Sequence, residues 1–131
     1  MRLLLDTHIV LWRLTADPRL SKQAIRVMDE HALSIDVSTI SVWEVATKWT
    51  LRKRRPDDMP LSGKAFLREL ERALIDPLPI QPIHAAAVDD LPALHGDPFD
   101  RFLIATASHE ALTFLTHDAA LAAYGEFVLV V

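Results

Sequence analysis

Short apolar runs that alternate with segments of helical spacing constrain the fold of this chain more than any other feature of its sequence. Five runs rich in Leu, Ile, Val or Phe have the length of buried strands, at residues 3–5, 33–35, 78–80, 113–115 and 127–131. Between them, Ser21 and Ser62 precede helical segments that extend to about residues 31 and 74. The alternation predicts an α/β protein: a three-layer α/β/α sandwich around a mainly parallel sheet of about five strands.

One further helix start is written into the sequence Asp97-Pro98-Phe99-Asp100. Asp97 has the character of a helix cap, Pro98 suits the first helical position, and Asp100 places an acid in the first turn. We therefore expect a helix to begin here, with Asp97 as its cap.

Composition limits the class of protein. The chain has 131 residues, half of them apolar, and no linker or repeat divides it, so we expect one domain, 1–131, with a loop at 52–62. The absence of cysteine excludes a disulfide framework, a zinc–thiolate site and thiol catalysis. The net charge of −4 argues against a protein that coats nucleic acid, but not against an enzyme that acts on it. Neither a signal peptide nor a membrane span is evident, so a cytoplasmic location is expected.

Four of the 18 acidic residues stand where a parallel α/β fold places its functional crevice, beyond the carboxyl ends of the strands. Asp6 directly follows the first predicted strand, and Asp118 closely follows the strand at 113–115. Glu44 and Asp100 lie early in predicted helices. Ionised carboxylates in such apolar surroundings are costly unless they are paired or bind metal. The cluster predicts a hard cation with oxygen ligands, Mg²⁺ or Mn²⁺.

Each acid also has an ordinary structural interpretation. Asp6 and Asp118 could cap the helices that follow them, and Asp100 could stabilise a helix dipole. Glu44 stands three residues after Ser41, which is the spacing of a capping box. Each of these alternatives is acceptable for one acid. Four separate structural roles would not explain why all four acids stand at positions that face the same crevice.

Four segments in order resemble PIN-domain proteins of the VapC toxin type, over essentially the whole chain. They are Leu3-Leu4-Leu5-Asp6-Thr7-His8, Ser38-Thr39-Ile40-Ser41-Val42-Trp43-Glu44 with Lys48, His95-Gly96-Asp97-Pro98-Phe99-Asp100-Arg101, and Thr116-His117-Asp118. The resemblance implies an Mg²⁺- or Mn²⁺-dependent endoribonuclease that is homodimeric and is held inactive by a small cognate antitoxin protein. It also implies that Asp100, rather than Asp97, is the metal-site acid of its pair.

The roles that follow are catalytic and metal-binding for Asp6, Glu44, Asp100 and Asp118. Thr7, Thr116 and Ser41 are candidate supporting residues, whose hydroxyls would orient the ligands or bond the backbone of turns. Candidate contacts to the RNA substrate are Lys48, Arg52 and Arg101. For these three the ordinary interpretation is a solvated basic face, or for Arg101 a structural pairing with an acid.

The aromatic side chains and histidines have less specific interpretations. The tryptophans Trp12, Trp43 and Trp49 fall in apolar helical stripes, which favours core or dimer-interface positions over base stacking. His8, His95 and His117 lie near the acids in the sequence but form no metal motif.

Two other classes of function remain as alternatives. A receiver-like or phosphoryl-transfer domain also places Asp at strand ends, but it would need a second acid near Asp6 and a late Lys, and no Lys follows Lys64. A non-catalytic PIN-like module could use the same acids to bind a basic peptide.

Overall fold

The computed structural model describes residues 1–51 and 59–131, and its centre is a parallel sheet. In the described part of the chain this sheet has four strands: β1 (Leu3–Leu5), β2 (Ile35–Asp36), β3 (Thr113–Thr116) and β4 (Val128–Val130). Their order across the sheet is β2-β1-β3-β4, and every neighbouring pair is parallel. The predicted fold class is confirmed.

Within residues 1–51 and 59–131, six α-helices connect and cover the strands, and they begin largely where the sequence signals them. They are α1 (Thr7–Leu14), α2 (Lys22–Glu30), α3 (Thr39–Thr50), α4 (Gly63–Arg72), α5 (Pro82–Ala86) and α6 (Pro98–Glu110), with 3-10 helices at Ala87–Asp90 and Ala119–Tyr124. The predicted caps are present: Ser21 and Ser62 accept hydrogen bonds from the N–H groups of Ala24 and Ala65. Asp97 accepts from the N–H groups of Phe99 and Asp100.

Two hydrophobic cores, one on each face of the sheet, make the three layers. Because successive side chains of a strand point to opposite faces, Leu3 and Leu5 join the core that contains residues of α1, α2 and α4. Leu4 joins the other core, together with Leu103 of α6 and Phe114 of β3. The helices are therefore fixed on both sides of the strands.

The order of the strands places a crevice beyond the carboxyl ends of β1 and β3. The chain passes from β1 to β2 on one side and later returns to place β3 on the other side of β1. In such sheets the crevice opens beyond the carboxyl ends of the two strands at this switch point. The residues there are Asp6, directly after β1, and the segment that runs from Thr116, the last residue of β3, to Asp118.

Two predicted strands are corrected by the structure. Residues 78–80 do not form a fifth strand; Leu78 makes only an isolated bridge to Ser38. Pro77 and Pro79 flank Leu78, and proline has no N–H to continue a ladder. The strand predicted at 33–35 is displaced, since Leu33 lies fully exposed in the turn after α2 and pairing begins only at Ile35.

Some expectations concern parts of the chain outside this description. Most of the loop predicted at 52–62, including Arg52, falls on residues 52–58 and so lies outside the described residues. Within 1–51 and 59–131, no helix has the length and apolarity needed to cross a membrane.

Candidate metal centre

Asp6 lies at the bottom of the crevice with its carboxylate buried. Its Oδ2 accepts a hydrogen bond of 2.6 Å from the hydroxyl of Thr116. Its Oδ1 is buried and has no hydrogen-bond partner among the described residues. Although Asp6 precedes α1, its side chain makes no capping hydrogen bond, so the helix-cap interpretation of Asp6 is wrong.

Thr116, the last residue of β3, connects two acids. Its hydroxyl donates to Asp6 and accepts the backbone N–H of Asp118 at 3.1 Å. The Thr116 hydroxyl therefore bonds both the carboxylate of Asp6 and the backbone of the turn that leads to Asp118. Asp118 does cap the 3-10 helix Ala119–Tyr124, since its Oδ1 accepts the N–H of Ala120. The cap engages only one of its two oxygens.

Glu44 reaches the same crevice from the second turn of α3 and is almost completely buried. Its Oε2 accepts a hydrogen bond of 2.6 Å from Nζ of Lys48, one turn later. Its Oε1 is buried without a partner in the described part of the chain. The capping-box interpretation is wrong, because Ser38 is the cap of α3 and Ser41 instead hydrogen-bonds the hydroxyl of Thr7 at 2.8 Å.

Asp100 approaches from the first turn of α6. Its Oδ2 lies 2.9 Å from Nε2 of His95, which belongs to the loop before the helix. Oxygen or nitrogen atoms of His95, Asp100 and Asp118 all lie within 4.8 Å of one another. His95 thus belongs to the cluster, although the sequence analysis assigns it no metal role. The signals in the sequence are its position five residues before Asp100 and its place at the start of the segment from His95 to Arg101.

Comparison with known proteins identifies the family. The PIN domain family model matches residues 3–126. The chain belongs to the PIN domain family. Ribonuclease VapC22 of Mycobacterium tuberculosis is 32% identical over 119 residues, which cover 90% of this chain and 88% of that protein. The receiver-like alternative is set aside by this assignment.

Two solved structures share the PIN fold. VapBC2 from Rickettsia felis, bound to a DNA fragment from their promoter, matches with a TM-score of 0.68 and 14% identity, over 99% of this chain and 97% of that chain. FitAcB from Neisseria gonorrhoeae matches with a TM-score of 0.62 and 23% identity, over 90% and 88% of the two chains. At these identities the likeness concerns the fold.

The carboxylates of this PIN domain are close enough to change one another's proton affinity. Burial raises the pKa of Asp100 to about 7, and the negative charges of Asp6, Asp97 and Glu44 act in the same direction. The hydrogen bond from His95 opposes this rise. Burial also raises the pKa of Asp6, against the hydrogen bond from Thr116. For both acids the effect of burial on the pKa is larger than that of the opposing hydrogen bond.

Lys48 is a cation that faces this cluster in the described structure. Burial alone would lower its pKa, but the hydrogen bond with Glu44 and the attraction of Glu44, Asp97 and Asp100 raise it above the ordinary value. Lys48 therefore carries its charge beside the acids, and the interpretation as part of a solvated basic stripe does not hold for it.

The donor set fits a hard divalent cation. Among the described residues, Oδ1 of Asp6 and Oε1 of Glu44 are buried without a donor, which is costly for a carboxylate oxygen. His95, Asp100 and Asp118 form a separate group of possible ligands within the described residues, and the charges of Asp6 and Glu44 act on Asp100. Oxygen-rich sets of this kind suit Mg²⁺ or Mn²⁺.

The structure places the remaining candidates elsewhere. Arg101 donates to the carbonyl of Pro92 and to the hydroxyl of Tyr124, so its partners are neutral rather than the expected acid. Trp12 is buried in the core as predicted, and Trp49 packs against the same core. Trp43 is not a core residue, because 59% of it is exposed.

Proposed function

We propose that this PIN domain is a divalent-metal-dependent endoribonuclease and the toxin of a toxin–antitoxin pair. The observation that carries the proposal is the pair of buried carboxylate oxygens, on Asp6 and Glu44, that have no donor among the described residues, while the charges of both acids act on Asp100. The similarity to a protein named as a ribonuclease supports RNA as the substrate.

Each residue has a defined part in the proposed site. Asp6, Glu44, Asp100 and Asp118 hold the cation, Mg²⁺ or Mn²⁺. Thr116 fixes the orientation of Asp6, and Thr7 and Ser41 support α1 and α3 through their mutual hydrogen bond. Lys48 neutralises part of the charge of Glu44 and contributes positive potential toward a phosphate.

When bound, the divalent cation lowers the pKa of a water molecule and offsets the negative charge that develops on the phosphate oxygens. The chain itself contributes a buried setting, in which electrostatic interactions are stronger than in water. It also holds the ligands in place before substrate arrives.

The test is cleavage of a mixed RNA pool by the purified protein in Mg²⁺ or Mn²⁺, with and without EDTA. We expect cleavage only with metal, and none above background from Asp6→Asn or Asp100→Asn. Mn²⁺ binding measured by calorimetry should weaken in both variants, because each removes a ligand charge.

Asp29→Asn is the matched control. Asp29 lies in α2 and forms an exposed ion pair with Arg13 of α1, so this variant makes the same change of charge away from the site. It should cleave RNA as the wild type does. Near wild-type cleavage by Asp6→Asn or Asp100→Asn would refute the assignment of the site. RNA binding without metal-dependent cleavage would favour the non-catalytic module.

The proposed partners follow from the same site. A cognate antitoxin should present Arg or Lys to the acid cluster and so compete with the metal. We also expect a homodimer in the cytoplasm. These three expectations, together with RNA contacts by Arg52 and Arg101, stay predictions.

A further inference from the structure

Trp43 is exposed on α3 and belongs to neither of the two hydrophobic cores described above. It immediately precedes Glu44 on α3, and 59% of it is accessible to solvent. Single exposed apolar residues are common on protein surfaces. Trp43 is more specific, because its ring packs on Phe99, and the Phe99 ring lies close to the Lys48 that hydrogen-bonds Glu44.

In the described structure, the indole of Trp43 packs against one other aromatic ring, that of Phe99. The Trp43 ring meets the Phe99 ring edge-on, with centroids 5.2 Å apart and an interplanar angle of 69°. Phe99 in turn packs against the core that contains α6, and it immediately precedes Asp100. Two aromatic rings from two facing helices thus stand beside two acids, and the outer ring is positioned without losing its exposure.

A charged side chain lies close to this pair of rings. Nζ of Lys48 lies 6.0 Å from the centroid of the Phe99 ring. Three acids, Glu44, Asp97 and Asp100, act on the same lysine, so a phosphate binds here only together with the cation of the proposed site. The buried centres of protein–protein interfaces are depleted in charged residues, whereas a nucleotide presents an apolar base face together with an anionic phosphate.

We propose that Trp43 is a base-stacking residue, which receives an unpaired RNA base beside the phosphate that is cut. This inference rests on the proposed ribonuclease function and adds to it a residue that binds the substrate base. A base in a duplex is stacked on its neighbours and cannot be received by a side chain without unpairing, whereas bases of loops and single strands can be.

The experiment measures binding of a fluorescently labelled, unstructured RNA oligonucleotide by anisotropy, in an Asp100→Asn background that prevents cleavage. Trp43→Ala should weaken binding by roughly 5- to 150-fold, the range that corresponds to loss of one stacked base. Trp43→Phe retains an aromatic face and should lose only a small part of this. In the active protein, Trp43→Ala should raise KM more than it lowers kcat.

Leu33→Ala is the matched control, because Leu33 is fully exposed and precedes β2, at the amino ends of the strands, whereas the candidate site lies beyond their carboxyl ends. It should leave RNA affinity unchanged. If Trp43→Ala does not fold, the intrinsic fluorescence decides: RNA should quench the parent protein strongly and Trp43→Phe much less.

Three results would overturn the proposal. The first is an unchanged affinity in Trp43→Ala, which leaves the ribonuclease function intact and removes only the stacking role. The second is a change of oligomeric state with unchanged RNA affinity, which would make Trp43 an interface residue between two copies. The third is a wild-type protein that neither binds nor cleaves RNA, which refutes the proposed function as well.

Discussion

Asp100 is the residue at which the loss of folding stability caused by the clustered carboxylates is easiest to measure. Its pKa is raised to about 7, first by burial and then by the charges of Asp6, Asp97 and Glu44. In the unfolded chain the same group titrates near its ordinary value of 3.8. Between these two values the folded state holds the extra proton, so the stability of the metal-free protein falls as pH rises from about 4 to about 7.

We therefore expect Asp100→Asn to melt at a higher temperature than the wild type in EDTA at pH 8. At pH 5 the carboxyl of Asp100 is protonated in the folded wild type and resembles the amide of Asn, so the difference should shrink. Millimolar Mn²⁺ should stabilise the wild type by mass action and the variant much less. Thermal melts in EDTA and in Mn²⁺ at the two pH values measure all of this.

Asp118→Asn is the comparison for that experiment. It too removes a cluster charge, but Asp118 caps a 3-10 helix and Asn retains most capping ability, so a smaller gain in EDTA is expected. If Asp100→Asn melts no higher than the wild type at pH 8, or gains as much from Mn²⁺, the acids do not form a metal cluster.

The residues that cap α6 and α3 differ in how well the sequence predicts them. Asp97 could be identified as a cap because its partners, Phe99 and Asp100, are neighbours in the sequence. For Glu44, the spacing to Ser41 suggested a capping box, while the structure uses Ser38 as the cap and turns Glu44 into the crevice. Spacing alone does not determine which of several serines begins a helix.

At the scale of elements, α3 and α4 approach so closely that Gly63 leaves no room for a side chain. A Cβ built on Gly63 would lie 2.6 Å from Cβ of Ala46, well inside normal contact. The neighbouring atom belongs to a short side chain on a helix, so it cannot move aside as the end of a flexible chain could.

Gly63→Ala should therefore lower the free energy of unfolding by about 1–2 kcal/mol in urea titrations. Overpacking costs roughly 1–3 kcal/mol, and the better helix propensity of alanine returns up to about 1 kcal/mol of this. The measurement requires no activity, so it tests the packing of the two helices by itself.

Gly96→Ala is the control, because a Cβ there meets nothing within 4 Å. Combining Gly63→Ala with Ala46→Gly should give a smaller loss than the sum of the two single losses, since the second change restores the space. Equal losses in Gly63→Ala and Gly96→Ala would contradict the close approach of α3 and α4.

Elements with strong local signals were predicted well, and those without were not. The starts of α2 and α4 follow from a Ser cap before an amphipathic segment, and the start of α6 follows from the Asp cap and the proline after it. The segment around Leu78 has the apolar character of a strand, but the prolines on both sides limit it to one bridge. Apolar character indicates burial, whereas a strand also requires donors for its ladder.

At the scale of the whole molecule, we expect a homodimer. Mean hydropathy is positive, +0.17, and several large apolar side chains are exposed on the monomer, including Leu67, Ile83 and Leu94. A stable dimer buries about 1,600 Å² in total and would cover part of this surface.

Light scattering at micromolar concentration should therefore give about twice 14.7 kDa, with or without EDTA. Exposed apolar surface is the driving force, so the mass should persist at high salt, where an assembly held by charges would weaken. A particle of 14.7 kDa under these conditions would show that the chain is a monomer.

The sequence by itself determined the α/β layers, the starts of three helices and the strand-end positions of Asp6 and Asp118, because these depend on periodicity and on residues close together in the chain. Only the tertiary structure decided how the acids interact. The hydroxyl of Thr116 reaches Asp6 across 110 residues, His95 joins the cluster, and Oδ1 of Asp6 and Oε1 of Glu44 are left without donors in the described structure. Proton affinity and metal fit depend on distance and burial in space, and neither quantity is contained in the spacing of residues along a chain.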